Sequence, residues 1–190
     1  MPITWGSILQ VSYVYALPFG RGKAFGGGMP RVLDTIFGGW ATNGVWRVSG
    51  GRPLNMTTYD GTSLPTYGPQ RPNIVGTAHR NHAKGWINNY FTNPQVFVLP
   101  PLYALGNAPR SYGAVRTPYN FTTDLSVLKV FPLERLHKGA SIEFRLEASN
   151  AFNHPTFGQP LTDVDDPLFG QITYTSSLPR QGQFGLKLTF

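Results

Sequence analysis

The chain ends in the segment QFGLKLTF (183–190), in which large apolar residues occupy every second position up to the last residue, Phe190. Alternation with period two is typical of a β-strand that has one apolar and one polar face. Most proteins let their final residues fray in water, so a patterned strand at the terminus needs a physical reason. A closed barrel supplies one, because its last strand must pair with its first to leave no open edge.

Four earlier segments carry the same period-two pattern, with apolar residues on one face and polar residues on the other. They cover residues 7–17, 40–49, 121–131 and 141–152, and a fifth covers about 181–190. Such strands are about 10 to 12 residues long, longer than the usual ~5–6 and close to the ~9–11 that cross a bilayer at a tilt. We therefore predict an all-β fold, an antiparallel meander of about five long strands that forms a segment of a large transmembrane β-barrel.

Aromatic residues mark the ends of these predicted strands. Trp40 opens the second strand, and Phe121 and Phe131 bracket the third. Transmembrane barrels carry aromatic girdles at both membrane interfaces, so this placement supports a membrane-spanning sheet. Lys129 interrupts the apolar face of the third strand near its end, and its long side chain is expected to reach the headgroups.

The connections differ in length, which orients the predicted strands. Long connections at about 51–118 and 153–180 fall on one side of an alternating meander, and shorter ones at about 18–39 and 132–140 fall on the other. Outer-membrane barrels have long extracellular loops and short periplasmic turns. We predict extracellular loops for the first pair and periplasmic turns for the second. Within the last loop, residues 169–175 are predicted to form a short strand.

The amino-acid composition argues against several classes of protein and of function. Of 190 residues, 41% are hydrophobic and 13% are charged, which argues against disorder. The net charge of +7 comes from scattered basic residues without a nucleic-acid-binding signature, so we expect no nucleic-acid partner. The chain contains no Cys, which excludes thiol catalysis. It also has no apolar run of the ~18 residues that a spanning helix needs.

Signatures of enzymes and metal sites are weak. His79 and His82 have no third ligand nearby, and Asp163–Asp166 lacks the Gly and the distant Glu of an EF-hand loop. We expect the acidic run to be a solvated turn and His154 to belong to a turn before Pro155. The Gly-rich stretch 20–28 matches no phosphate-binding loop and is expected to be a flexible turn. We therefore predict no enzymatic activity, no metal and no cofactor.

Charged side chains on the polar face are candidates for contact with a solute or a plug. Glu143, Arg145 and Glu147 alternate along one face of the fourth predicted strand, where an ion-pair ladder is the favoured interpretation. Arg47 and Asp124 are expected to join them from neighbouring strands. If the apolar face meets lipid, all five line the lumen of the barrel.

Five stretches spaced along the chain form a consistent set. They are SYVYALPFGRGKAF (12–25), LDTIFGGWATNGVWRVSGGRPLNM (33–56), NFTTDLSVLKVF (120–131), FRLEASNAFNHPTFG (144–158) and FGQITYTSSLPRQGQFGLKLTF (169–190). In this order they resemble the C-terminal end of TonB-dependent outer-membrane receptors. The most similar group is the Oar-like receptors, which often carry a carboxypeptidase-regulatory-like domain.

This resemblance implies a role and a set of partners. Family members are barrels of about 22 strands around a plug, energised through a periplasmic peptide of an inner-membrane complex. The final residues also resemble an outer-membrane assembly signal recognised by the barrel-assembly machinery, carried here by Gln183, Gly185, Leu188 and Phe190. The expected partners are outer-membrane lipid, the plug and remaining strands, the assembly machinery and the TonB-type complex.

The chain departs from the family pattern in what it lacks. It contains no plug, no energy-coupling segment and no signal peptide in MPITWGSILQ (1–10), and its strands are too few to close such a barrel. We therefore expect residues 1–190 to be the C-terminal portion of a longer receptor in the outer membrane of a Gram-negative-type bacterium. Its function would be to form the barrel wall and closing strand for uptake of an unidentified solute.

Two other classes stay open from the sequence. One is a soluble secreted β-sandwich that binds carbohydrate through its aromatic residues, and the other is a basic module that binds polyanions. An outward apolar band formed by Tyr13, Trp46, Phe144 and Leu186 would indicate the barrel, whereas packing of these residues against a second sheet would indicate the sandwich.

Overall fold

The computed structural model describes residues 6–59, 69–133 and 137–190. Its elements, in chain order, are β1 (Ile8–Ala16), α1 (Arg31–Phe37), β2 (Trp40–Ser49), β3 (Pro53–Leu54), β4 (Asn73–Ile74), a 3₁₀ turn (Pro94–Val96), β5 (Phe97–Val98), β6 (Tyr112–Arg116), β7 (Asn120–Pro132), β8 (Ser141–Ser149) and β9 (Gln181–Thr189). Neither helical segment in the described ranges has the length and apolarity needed to cross a membrane.

The five long strands form one sheet in the order β1-β2-β7-β8-β9. They coincide with the five predicted strands, which confirms the antiparallel meander. The fourth ends at Ser149 rather than at residue 152, because Asn150 and Asn153 adopt positive φ angles of 47° and 52°. The Asp124 carboxylate accepts the Asn150 N–H at 3.0 Å, which fixes this turn.

The chain divides into two compact units, which we name the sheet unit and the loop unit. The sheet unit comprises Leu9–Val48, Phe121–Pro155 and Leu178–Phe190, and the loop unit comprises Met1–Ile8, Ser49–Asn120 and Thr156–Ser177. The two long predicted loops thus supply most of the loop unit, although residues 60–68 lie outside the described residues. The predicted turn at 132–140 also contains residues 134–136, which are not described.

Strand register places apolar side chains of β7, β8 and β9 opposite one another on one face, whereas Leu128 and Val130 stand opposite Arg145 and Glu143 on the other. Opposite each other on β8 and β9 stand Ile142 and Leu188, Phe144 and Leu186, and Leu146 and Phe184. Across β7 and β8, Val127 faces Leu146 and Phe131 faces Ile142. The rings of Phe144 and Phe184 meet edge to face at 4.9 Å. Period-two alternation therefore produces the predicted apolar and polar faces.

The apolar face is exposed. On β9, Phe184, Leu186 and Leu188 each leave 59–64% of their surface accessible. Among the described residues of the sheet unit, Ala140 is the only buried residue with an apolar side chain. Four polar or charged residues are buried there: Thr123, Ser126, Lys129 and Asn150. This pattern is the reverse of a water-soluble fold, in which apolar side chains lie inside.

The loop unit has an ordinary hydrophobic core. Its centre is an aromatic cluster in which Phe91 stacks on Phe169 at 5.3 Å and meets Phe97 at 5.4 Å. The buried members of this core are Leu54, Met56, Ala78, Tyr90, Phe91, Phe97, Tyr112, Val115 and Ile172. The two-stranded sheets β3-β6 and β4-β5 frame it. The sequence shows no sustained period across 51–118, yet the described residues of this stretch supply most of the buried core.

One local prediction is wrong. Residues 169–175 do not form a strand, because their backbone bonds go to separate partners: Ile172 N–H donates to Ile87 O at 2.8 Å, and Thr175 makes a single bridge to Phe157. The Gly-rich stretch 20–28 consists largely of turns and bends, and the connection 18–39 that contains it also carries α1, which was not predicted.

The expectation for Lys129 is wrong as well. Its side chain is 3% exposed and does not extend toward headgroups. Its ammonium group donates to the carbonyl oxygens of Ile36 at 3.1 Å and Gly38 at 2.5 Å, at the C-terminal end of α1. It also lies over the rings of Trp40 and Phe131, at 5.4 and 4.9 Å. The free carbonyl groups at a helix C-terminus attract a cation, which explains why this lysine folds inward.

Candidate functional site

The polar face of β8 carries a short ladder of charges. The Arg145 guanidinium lies 2.6 Å from the Glu143 carboxylate and 3.4 Å from the Glu147 carboxylate. Alternate residues of a strand share a face, so one arginine bridges both acids. All three side chains are partly accessible, between 26% and 48%. The predicted ion-pair ladder is therefore present, on a partly solvent-accessible surface.

Arg47 and Asp124 do not join this ladder. Arg47 donates from Nε and a terminal nitrogen to the side-chain oxygen of Gln10, at 3.2 and 3.0 Å. Asp124 accepts the Asn150 N–H described above. The expected cluster of five charges is thus divided, with Arg47 and Asp124 bonded to other partners.

Polar groups next to the ladder form a shallow cavity of about 180 Å³. Its lining includes Asn43, Asp124, Ser126 and Glu147, and the Ser126 hydroxyl bonds the Asn43 side-chain oxygen at 2.5 Å. A larger cavity of about 430 Å³ lies between the ends of β8 and β9 and is lined by Glu147, Ser149, Gln181, Gly182 and Gln183. Both offer mainly hydrogen-bond acceptors and amides, which suit polar or hydroxylated molecules.

The loop unit contains a cavity that was not predicted from the sequence. It measures about 630 Å³, and it combines aromatic rings with one exposed guanidinium and several amides and hydroxyls. Its chemistry-bearing lining residues are Arg52, Ser111, Asn120, Phe157, Gln159 and Tyr174. These residues come from distant segments, so no local motif signals them. The sequence signal that could have indicated this cavity is the concentration of aromatic and amide residues in the two long connections.

A cation–π cluster stiffens the loop unit. The Arg80 guanidinium lies 5.3 Å from the centre of the Trp86 ring and 5.2 Å from that of Tyr90. Burial raises the pKa of the Tyr90 hydroxyl to about 12, although the nearby Arg80 charge acts in the opposite direction. The hydroxyl donates to the Arg116 carbonyl oxygen. This tyrosine is a neutral anchor of the core, far from the range of an acid–base catalyst.

The histidine and aspartate candidates have structural partners. The backbone N–H of His79 donates to the side-chain oxygen of Asn93 at 2.9 Å. The backbone N–H of His154 donates to the side-chain oxygen of Asn150 at 2.9 Å, within the predicted turn. The acidic run 163–166 lies in a turn, as expected, but it is only half-exposed. Asp165 accepts bonds from the Thr58 hydroxyl and, at 2.9 Å, from the Tyr59 N–H. No group of three or more His, Asp or Glu side chains in the described ranges is placed to hold a metal ion.

The predicted assembly-signal residues lie along β9 and beyond its end. Gln183 pairs with Glu147 and Gly185 pairs with Arg145, so both stand on the polar face. Leu188 stands on the apolar face, and Phe190 is 89% exposed after the strand has ended. The terminal aromatic residue is thus exposed and lies outside the paired strand.

Comparison with known families agrees with this architecture. The family model described as "Outer membrane beta barrel domain" matches residues 5–183, which is nearly the whole chain. Comparisons with curated proteins and with solved structures found no match. The meander of long strands, the exposed apolar face and the matched family model lead to one assignment: this chain belongs to the outer membrane β-barrel domain family and is a component of the outer membrane.

Proposed function

We propose that this chain forms the C-terminal wall and closing strand of a TonB-dependent transporter barrel that takes up an as yet unidentified solute. The observation that carries the proposal is the exposed apolar face of the five-stranded sheet. Leu186 and Phe184 lie on this face in the edge strand β9. Trp46 lies on the same face in β2, since it is an even number of residues from Trp40, whose ring meets that of Phe144. The resemblance of five spaced segments to TonB-dependent receptors supports the finer assignment.

The energetics of the apolar face favour lipid as its surroundings. Fully burying one Leu or Phe side chain is worth about 1.5–3 kcal/mol, and most of that is forfeited when the side chain stays in water. Phe184, Leu186 and Leu188 are well over half exposed. Surrounding hydrocarbon removes this cost, because lipid tails are as apolar as the side chains.

The β-sandwich alternative requires a second sheet over the same residues. Instead, Trp46 is 39% and Leu186 64% exposed, and Tyr13 stacks on Trp46 at 5.4 Å within the sheet itself. The buried hydrophobic cluster of the described residues draws no member from the five long strands. A sandwich keeps its core between two sheets, so these observations favour the barrel.

The polar face and the loop unit have complementary roles in this proposal. The ladder around Arg145 lines the lumen, where it meets the plug or the passing solute. The loop-unit cavity beside Arg52 and Tyr174 contributes to solute capture at the cell surface. The proposed role is that of a non-enzymatic transporter component without cofactor, whose partners are lipid, the plug, the remaining strands, the assembly machinery and the TonB-type complex.

Cell-surface labelling tests the proposed orientation. The chain has no Cys, so once any cysteine elsewhere in the full-length protein has been replaced, a single cysteine introduced here is the unique reactive site. We expect Tyr103→Cys, in the loop unit, to react with a membrane-impermeant maleimide on intact cells. The matched Lys23→Cys, in the connection 18–39, should react only after the outer membrane is permeabilised. Labelling of both sites on intact cells, or the reverse pattern, would overturn the orientation.

Energy dependence tests the transport assignment. Cells with and without the protein are grown in a complex medium, and depletion of medium components is followed by mass spectrometry. At least one component should be depleted only when both the protein and the TonB-type complex are present. Depletion that persists without the complex would show a passive pore and contradict the TonB-dependent assignment, while leaving the barrel itself intact.

A further inference from the structure

Helix α1 presents its apolar side chains outward. Val32, Leu33, Ile36 and Phe37 are 71%, 42%, 51% and 57% exposed, and no residue of the helix is buried. A helix advances ~100° per residue, so these four positions fall on one side. A surface helix in water normally turns its apolar stripe toward the protein core, and α1 does the opposite.

The side of α1 that carries Asp34 contacts the protein. The Asp34 carboxylate accepts the Arg21 N–H at 2.7 Å and packs closely against Gly20 and Gly38. A Cβ atom at either glycine would collide with the Asp34 side chain, so this contact fixes the orientation of the helix. The outward direction of the apolar side is therefore built into the connection.

The C-terminal end of α1 is held against the apolar face of the sheet. Lys129 donates to the carbonyl oxygens of Ile36 and Gly38, and Trp40 Nε1 donates to Ile36 O at 2.9 Å. By strand register, Lys129 stands opposite Phe144 on the apolar face, and the Trp40 ring meets Phe144 edge to face at 5.8 Å. The exposed side of α1 is thus continuous with the exposed apolar face.

The connection that carries α1 also has the residues of a membrane interface. Phe19 and Phe25 are exposed and pack on each other at 5.6 Å. Arg21, Lys23 and Arg31 are exposed basic residues of the same connection. Apolar and aromatic residues on one side, with cations beside them, are typical of helices that lie in the headgroup region and contact anionic phospholipid.

We propose that α1 is an interfacial anchor whose apolar side lies in the phospholipid leaflet at the end of the barrel formed by the connection 18–39. This inference rests on the proposed function, which places lipid against the apolar face. Lys129 and Trp40 lock the anchor to the barrel wall from the lipid side. The occupant of the exposed side is phospholipid, because that side continues the face assigned to lipid.

Depth-dependent fluorescence quenching tests the anchor in the full chain. Val32→Cys and Ile36→Cys are labelled with an environment-sensitive dye, and Thr35→Cys is the matched control on the exposed polar side. Leu186→Cys, on the apolar face of β9, reports on the barrel wall. The protein is inserted in phosphatidylglycerol–phosphatidylethanolamine vesicles containing acyl-brominated lipid, and aqueous iodide is the opposing quencher.

The expected result is that bromolipid quenches the dyes at 32, 36 and 186 several-fold more than the dye at 35, which iodide quenches instead. Iodide quenching at 32 and 36 with bromolipid quenching at 186 would overturn the anchor and leave the barrel standing. Protection of 32 and 36 from both quenchers would identify a covering protein and overturn the lipid occupant. Bromolipid quenching at none of the sites would overturn the barrel orientation together with the anchor.

Discussion

The two units of this molecule distribute the same kinds of residues in opposite ways. In the loop unit, Phe91 and Tyr90 are completely buried in an aromatic core. In the sheet unit, Phe184 and Leu186 are exposed, while the polar Thr123 and the cationic Lys129 are buried. The difference shows that burial depends on the surrounding medium as much as on the residue type, because exposed apolar surface is favourable in lipid and unfavourable in water.

The largest expected effect comes from emptying the loop-unit core. Phe91→Ala should destabilise this unit by about 3–5 kcal/mol, since it leaves a cavity among packed rings. Hydrogen exchange of loop-unit amides in the full chain, followed by mass spectrometry, measures this loss. The matched Phe184→Ala removes the same side chain from the exposed face and should change stability far less. A similar loss of stability in both variants would contradict the proposed difference between a buried core in the loop unit and an exposed apolar face in the sheet unit.

A charge on the apolar face is the next most damaging change. Leu186→Arg should cost about 2–4 kcal/mol if this position lies near the bilayer midplane. The control is Ser149→Arg, which places the same charge on the polar face of β8. Equilibrium unfolding from lipid vesicles by guanidinium measures both. Tolerance at 186 combined with a loss at 149 would reverse the assignment of the two faces.

The terminal aromatic residue is expected to act on assembly more than on stability. Phe190→Asp in the full-length protein should lower its amount in the outer membrane, because the assembly signal would end on a charge. Phe190→Tyr keeps the ring and should assemble normally. Immunoblotting of outer-membrane fractions provides the measurement. Unchanged levels of the Asp variant would count against the signal role.

Tyr90→Phe tests the buried hydroxyl of the loop unit. At neutral pH the variant should lose about 1 kcal/mol, the value of a typical hydrogen bond, through its bond to Arg116 O. Burial raises the Tyr90 pKa from 10.0 to about 12, so between these values the unfolded chain ionises while the folded unit stays neutral. Stability of the wild-type loop unit should therefore fall as pH rises through this window.

The alkaline experiment measures the free energy of unfolding of the loop unit, separately from that of the sheet unit, from about pH 9 to about pH 12. The Phe variant lacks the ionisable group, so the Tyr90 contribution to the pH-dependent loss should be absent from it. Identical slopes in wild type and variant would show that Tyr90 ionises as readily in the folded unit as in the unfolded chain.

The smallest effect is expected at the charge ladder. Glu143→Gln breaks the shorter of the two ion pairs of Arg145, and exposed pairs contribute little to stability because water screens them. Equilibrium unfolding should show almost no change, and Asp124→Asn, which weakens the bond to the Asn150 N–H, is the comparison. A selective loss of uptake with normal folding would show instead that Glu143 contacts the plug or the solute.

Much of the sheet unit was predictable. In β8 and β9 apolar and polar residues alternate along the strand, and Leu186 and Glu143 therefore take their faces from the backbone geometry alone. Lys129 was mispredicted for a physical reason. A lysine near a strand end has water and headgroups as ordinary partners, and the sequence does not show that the carbonyl groups of Ile36 and Gly38 lie within reach.

The loop unit was largely unpredictable, and so was its cavity. Phe91, Phe97 and Phe169 pack together although distant connections supply them, and no period in the sequence links them. Arg52 and Tyr174 likewise meet around one cavity from opposite ends of the loop unit. Such contacts depend on the tertiary arrangement of segments that are distant in the sequence, and local sequence patterns do not specify that arrangement.

The sequence by itself determined the long strands, their two faces and the aromatic ending, because a strand's side-chain period is a local property of the backbone. Only the tertiary structure decided that the connection 18–39 contains an outward-facing helix locked by Lys129, and that the long loops build a buried aromatic core. Those features arise from contacts between residues far apart in the chain, and such contacts form only when folding brings the segments together.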